Sequence, residues 1–238
     1  MELYKERYDM DTPDSSLNLL QLMVDHNKKL ALNKNTEGFI DDEDVIGNLK
    51  AFQFASIDTT KQTTKSGFAF LANSQNESID RIYEMGVDSV EDRMNNKYLE
   101  WCINEVVRLF NPAFDIFPRE VIKDGVVIDG IKIRKGDQVM SSVMLKNRDE
   151  YVDPKKFLPE RFDGSSGDSR VIKEVFNGFW KGKRGCIGQN FAMIAMKMAW
   201  GSVIKNFEFE KIDGYEIQMG WGTGYVCLNS IAKVKLRR

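Results

Sequence analysis

The chain has 238 residues, 42% of them apolar and 29% charged, with a formal net charge of −2. That is long enough to bury a sizeable core, and the near-neutral balance excludes the strongly basic field of a nucleic-acid binder. No apolar run approaches the ~20 residues of a membrane helix, and the opening MELYKERYDM is too polar for a secretory signal.

In chain order, Ser15 or Ser16 is expected to cap a helix over LNLLQLMVDHNKKLAL, with His26 near its end as an exposed residue. NKNTEG is a loop. The acidic DDED then opens the longest helical pattern, in which Val45, Ile46, Leu49 and Phe52 recur at helical spacing. Its SIDTT run is poor helix material, because Asp, Ser and Thr compete for backbone hydrogen bonds, so a bend or local break is expected there. After a polar stretch, NKYLEWCINEVVRLFNP is amphipathic, with an apolar stripe of Leu99, Cys102, Ile103, Val106, Leu109 and Phe110. Pro112 marks its stop.

Residues 113–141 alternate apolar pieces with turn signals. Asp124-Gly125 and Asp129-Gly130 each signal a hairpin, which predicts a small antiparallel sheet. DPKKFLPERFDGSSGDS is irregular. From Ile187 to Phe207 the chain reads as a helix, apolar on almost every side and hence expected to be buried. Short strand-like pieces, including YVCLNSIAKVKL, close the sequence.

Cys102, Cys186 and Cys227 are far apart with no Cys-x-x-Cys, so no disulfide framework is expected and a reducing compartment is. One histidine and three scattered thiols do not supply a zinc site's four ligands. Cys102 and Cys227 fall in apolar patterns and read as core.

Cys186 is different. It stands in FWKGKRGCIG, between three glycines and three cations, just before the last helix. Unpaired N–H groups at a helix start and nearby positive charge stabilise a thiolate, the form that binds metal or attacks an electrophile. The glycines let the backbone turn tightly and approach something bulky. A phosphate-binding P-loop is excluded, since Gly178 is one residue too close to Gly182 and Arg184 stands where Ser or Thr is needed. A nucleophile lacks a nearby histidine base. A purely structural cysteine stays open.

The loop resembles the haem-binding signature of the cytochrome P-450 family, F-x-x-G-x-R-x-C-x-G. Phe179, Gly182, Arg184, Cys186 and Gly188 match every fixed position, and Phe191 and Ala192 fit its continuation. Other stretches match in order. Glu105-Val106-Val107-Arg108 is similar to the E-x-x-R helix, and Pro159-Glu160-Arg161-Phe162 to the P-E-R-F whose arginine joins that pair. Asn147-Arg148-Asp149 and Asp153-Pro154-x-x-Phe157 resemble the approach to it. Pro112 and Arg119 resemble a strand start whose arginine holds a haem propionate, and Arg184 a second propionate partner. Ala55-Ser56-Ile57-Asp58-Thr59-Thr60 resembles the [AG]-G-x-[DE]-T-T stretch of the helix over the distal haem face, with Ser56 for the usual glycine.

The resemblance implies a mainly α fold with small antiparallel β-sheets, P-450-like and truncated on its N-terminal side. Residues 1–238 would be a partial P-450 domain. Its parts would be a long distal helix over about 41–72, an E-x-x-R helix over about 96–110 and a β-rich segment over about 113–141. The haem-thiolate loop over 179–188 and a buried helix over about 187–206 would complete it.

It also implies haem b, iron protoporphyrin IX, with Cys186 as axial iron ligand and Phe179, Gly182, Gly188, Arg119 and Arg184 binding the cofactor. Asp58 and Thr59 would be catalytic, relaying protons. Glu105, Arg108 and Arg161 would form a bracing network. The implied function is monooxygenation of a small hydrophobic organic substrate by O2. Electrons would come from a separate reductase, so NADPH enters only indirectly, and no nucleic acid is involved. Family members are roughly twice this long. The expected location is intracellular, at the endoplasmic reticulum membrane if an absent N-terminal half carries an anchor and otherwise cytoplasmic. Two other readings stay open: a haem-free, non-catalytic remnant acting as an interaction module, and a haem-thiolate protein driven by peroxide.

Overall fold

The computed structural model describes residues 5, 6, 8, 18–34, 36–74, 76–113, 118–140, 151–165, 176–221 and 225–237. Two units emerge, Met1–Asp58 and Thr59–Arg238.

In the first unit, helix α1 spans Leu19–Leu32 and its cap is Asn18, whose Oδ1 accepts from the Gln21 amide at 3.0 Å. Ser15 and Ser16, the expected caps, lie outside the described residues. Val24 and Val45 are fully buried here, with Leu20, Ile40 and Leu49 against them. The buried Asn27 ties the connecting loop down, donating to Ile40 O at 2.7 Å and accepting from Ile40 N at 3.0 Å. His26 is exposed, with Nε2 2.9 Å from Gly38 O.

Helix α2, Asp42–Ser74, starts with Asp42, Glu43 and Asp44, which suit the positive end of a helix dipole. The break expected at SIDTT does not occur, and helix is continuous through it. The hydroxyls bond within the helix instead. Ser56 Oγ donates to Gln53 O at 3.3 Å and Thr63 Oγ1 to Thr59 O at 3.0 Å, so they do not compete for the helix's own amides.

The second unit packs around helix α5, Lys97–Leu109. Leu99, Cys102, Ile103 and Val106 are wholly buried, against Leu71 of α2 and Trp200 and Ile204 of a later helix. The polar stretch before α5, given no helix above, holds α3, Asn76–Glu84, and α4, Val90–Asn95. Helix α3 buries Ile79 and Ile82, and α4 buries nothing, so neither shows an apolar stripe in sequence. Caps define them. Ser89 and Asp92 form a reciprocal capping box, and Asn96 caps α5 by accepting from the Leu99 amide at 2.9 Å.

The β structure is small and antiparallel. Strand β1, Arg119–Glu120, pairs with β4, Gln138–Val139; β2, Val126–Ile128, pairs with β3, Ile131–Ile133. Asp129 (φ +48°) and Gly130 (φ +82°) join β2 to β3, both left-handed as a two-residue hairpin requires. The Asp124-Gly125 signal marks a turn ahead of β2 and joins no paired strands. Replacing Gly130 by valine is expected to cost about 1–2 kcal/mol in a urea melt, because a β-branched residue resists that conformation. Farther on, β5, Phe207–Glu210, pairs with β8, Lys233–Leu236, and β6, Met219–Trp221, pairs with β7, Tyr225–Cys227.

Helix α6, Gln189–Asn206, is only half as buried as its sequence suggests. Met196, Trp200 and Ile204 are in the core, but Phe191 is 69% exposed and Ile194 46%. Phe191 and Ile194, three residues apart, share one helix face, and Ile187, 84% exposed, lies just before the helix. No described element covers that apolar face.

Candidate functional site

Glu105 and Arg108 are three residues apart on α5, so their side chains meet on one face. Both are wholly buried, and Arg161, in the short helical turn Pro159–Asp163, is 2% exposed. Glu105 Oε2 accepts from Arg108 Nε at 2.7 Å. Its Oε1 accepts from Arg108 Nη2 at 2.8 Å, Arg161 Nε at 3.0 Å and the Leu158 amide at 2.9 Å.

Two guanidiniums share one carboxylate, and backbone carbonyls take the remaining donors. Arg108 donates to Pro154 O at 2.8 Å and Lys156 O at 3.1 Å. Arg161 donates to Val152 O at 2.6 Å and Asp153 O at 2.9 Å. The Tyr151 ring lies 5.0 Å from one guanidinium and 5.6 Å from the other. The network thus fixes the irregular segment 151–161 against α5, a job otherwise needing regular secondary structure. Asn147-Arg148-Asp149 lie outside the described residues.

The cysteine loop is fastened beside the same C-terminal end of α5. Asn111, 1% exposed, donates from Nδ2 to Gly178 O at 2.9 Å. Trp180 Nε1 donates to Ala113 O at 3.3 Å. The chain then makes a helical turn over Gly182–Arg184 and returns, so that the Cys186 amide donates to Phe179 O at 2.8 Å. Of the glycines in the loop, Gly182 needs its freedom for a φ of +76°. Gly185 is needed for close approach, since an added Cβ would meet Trp180 O at 3.2 Å and Gly182 O at 3.3 Å. Trp180 takes φ +60°, a conformation costing such a residue about 1–2 kcal/mol, and nothing in the sequence signals it.

The loop delivers Cys186, an exposed free thiol, to the start of α6. Its Sγ lies 3.9 Å from where a Cβ on Gly188, the cap residue, would be. No side chain caps that helix, and the Gln189 amide at its start donates back to Cys186 O at 3.4 Å. Cys102 and Cys227 are buried, and burial pushes the Cys102 thiol well up, with the Glu160 carboxylate adding to it. Cys102 thus stays protonated in the folded state, and any stability from this is lost only as pH rises above the ordinary thiol range. In haem-free folded protein, a mild alkylating reagent is expected to modify Cys186 and spare Cys102 and Cys227, as peptide mapping would read.

The remaining candidates are less gathered. Arg119, on β1, and Arg184 are both exposed. Arg119 Nη1 donates to Pro118 O at 3.3 Å, and Arg184 has no ion pair among the described residues. Phe179 is half-buried against the core. Asp58 and Thr59 are consecutive, half-buried residues of α2 at the division between the two units. Asn111 and Trp180 were not legible as site residues; only their nearness to Pro112 and to the glycine loop hinted at them.

The family model described as Cytochrome P450 matches residues 1–235.

The chain belongs to the cytochrome P450 family.

Human cytochrome P450 3A7 is 29% identical over 87% of this chain and 42% of its own length. Cytochrome P450 3A31 of Mesocricetus auratus is 31% identical over 85% of the chain and 41% of its own. A protein of Aspergillus oryzae named cytochrome P450 monooxygenase cpaH is 31% identical over 73% and 36%. The chain thus spans less than half the length of these P450 relatives. Among solved structures, a P450 designated CYP102L1 superposes over all of this chain and 55% of its own at a TM-score of 0.83 and 20% identity. A cytochrome P450DA mutant haem domain does so over 83% and 47% at 0.73 and 20% identity. The fold is therefore that of a P450 haem domain, helix-rich with small antiparallel sheets. No described helix is long and apolar enough to cross a membrane.

Proposed function

We propose that this chain is the haem-thiolate part of a monooxygenase, with Cys186 as the iron's protein ligand. The carrying observation is the exposed Cys186 sulfur, presented beside the uncapped start of α6 by a loop closed through the Phe179 carbonyl.

The donor chemistry fits haem. No group of three or more His, Cys, Asp or Glu side chains able to hold a metal gathers among the described residues. A lone thiolate holds iron only when a macrocycle supplies the other ligands. Exposed Ile187 and Phe191, one and five residues after Cys186, suit an apolar macrocycle face. When bound, haem supplies the activation of O2 that places one oxygen atom in an organic substrate.

The chain's own residues do the rest. The positive dipole end of α6 tempers the negative charge of the thiolate. The exposed guanidiniums of Arg184 and Arg119 suit propionate carboxylates through charge-assisted pairs. Phe179, Gly182 and Gly188 shape the loop and leave room beside the sulfur. Asp58 and Thr59 would hold and pass protons. Glu105, Arg108 and Arg161 brace the segment before the loop. Electrons come from a separate reductase oxidising NADPH, and the substrate is small and hydrophobic.

The test is turnover of a hydrophobic substrate by haem-loaded protein with reductase, NADPH and isotopically labelled dioxygen. One labelled oxygen atom in the product supports the reading. Label-free product, or turnover with peroxide but none with reductase and NADPH, overturns the reductase-driven form. A second reading, a haem-free interaction module, draws on the uncovered Ile187, Phe191 and Ile194 face. It predicts well-folded protein that takes up no haem.

A further inference from the structure

Trp180 carries a backbone conformation that glycine takes freely and a bulky residue does not, with φ at +60°. Such a residue persists only where its surroundings over-determine it, and outliers of this kind gather at functional sites. Its surroundings do so. The indole Nε1 donates to Ala113 O at 3.3 Å and the Trp180 amide to Asn177 O at 3.2 Å. Two residues earlier, Gly178 O accepts from Asn111 Nδ2 at 2.9 Å. Gly178 lies so near α5 that an added Cβ would fall 2.6 Å from Val107 Cγ1.

Residues 177–180 are therefore fastened to the C-terminal end of α5. Beyond Trp180 the loop is tied back to this base at Cys186 itself, whose amide donates to Phe179 O at 2.8 Å. The direction in which the chain leaves residue 180 decides whether that link can close. In an ordinary extended or right-handed conformation, residue 180 would send the loop elsewhere.

We propose that Trp180 is the positioning residue for Cys186. Its left-handed backbone, held by the indole on the Ala113 carbonyl, aims the loop so that the sulfur is carried to the start of α6. The geometry stands on its own; its purpose rests on Cys186 being the haem ligand.

The variants Trp180→Phe and Trp180→Gly separate the parts. Phenylalanine keeps the backbone strain and loses the indole donor. Glycine also loses the donor but relieves the strain. Amide hydrogen exchange of the haem-free protein reads the effect at Cys186, with Trp200 and Ile204 amides in α6 as the control for general loosening. The expected order of Cys186 exchange is phenylalanine fastest, glycine intermediate and wild type slowest, with roughly a tenfold span for loss of one anchor. Unchanged exchange in Trp180→Phe, or equal acceleration in α6, overturns the proposal.

In haem-loaded protein, the carbon-monoxide spectrum of Trp180→Phe is expected to shift from the thiolate-type band toward the non-thiolate band, and that of Trp180→Gly less so. If exchange responds while wild type takes up no haem, positioning stands and the haem reading fails. If wild type gives a thiolate spectrum that neither variant alters, positioning fails and the haem reading stands.

Discussion

Glu105→Gln is expected to lower the unfolding free energy of the haem-free protein by about 3–5 kcal/mol. Among the described residues the carboxylate accepts four hydrogen bonds, three from the guanidiniums of Arg108 and Arg161 and one from the Leu158 amide. An amide side chain of the same shape offers one acceptor oxygen and turns an N–H toward positive charge. Two guanidiniums then remain in the interior with no anion. The loss exceeds the few tenths of a kcal/mol of an exposed ion pair at this spacing because both partners are out of water. Urea unfolding followed by circular dichroism measures it. A change under about 1 kcal/mol would mean that water reaches the network. Since α5 also holds the cysteine loop through Asn111, the same variant is expected to weaken haem retention without touching the loop.

Trp200→Ala comes next, at about 3–5 kcal/mol for the loss of a wholly buried aromatic. Gly67 makes the case specific. A Cβ added there would lie 2.2 Å from Trp200 Cζ2 and 2.4 Å from Cη2, closer than atoms can approach. Gly67→Ala is therefore expected to cost about 1–3 kcal/mol through overpacking, although alanine favours helix over glycine by about 1 kcal/mol. In the Trp200→Ala background the clash is gone, and the same substitution becomes neutral or stabilising. The change of sign is a coupling that a double-mutant cycle reads directly. Equal effects in both backgrounds would mean that α2 and α6 do not meet as described.

How far the sequence carried depended on what each feature rests on. Helix α5 was legible because its apolar stripe, Leu99, Cys102, Ile103 and Val106, is both periodic and buried. The β2–β3 hairpin was legible because Asp129-Gly130 suits a left-handed pair. Helices α3 and α4 were not, since their apolar residues are few and α4 is marked by its capping box alone. Continuity of α2 through SIDTT was not either, because side-chain hydroxyls can bond within a helix as well as against it. The burial expected of α6 holds for the face that carries Met196, Trp200 and Ile204, where partners exist within the chain. At the site, residue types at fixed spacing pointed to the loop and the acid–base network, but not to what joins them. Asn111 and Trp180 act through backbone carbonyls distant in sequence, and no local pattern marks such contacts.

The account depends on the Cys186 sulfur being the bond between protein and iron. The direct measurement is the reduced, carbon-monoxide-bound absorption spectrum of haem-loaded protein, wild type beside Cys186→Ser. A long-wavelength, thiolate-type Soret band in wild type that is lost in the variant is the predicted result. Haem bound with the same spectrum in both proteins would contradict it.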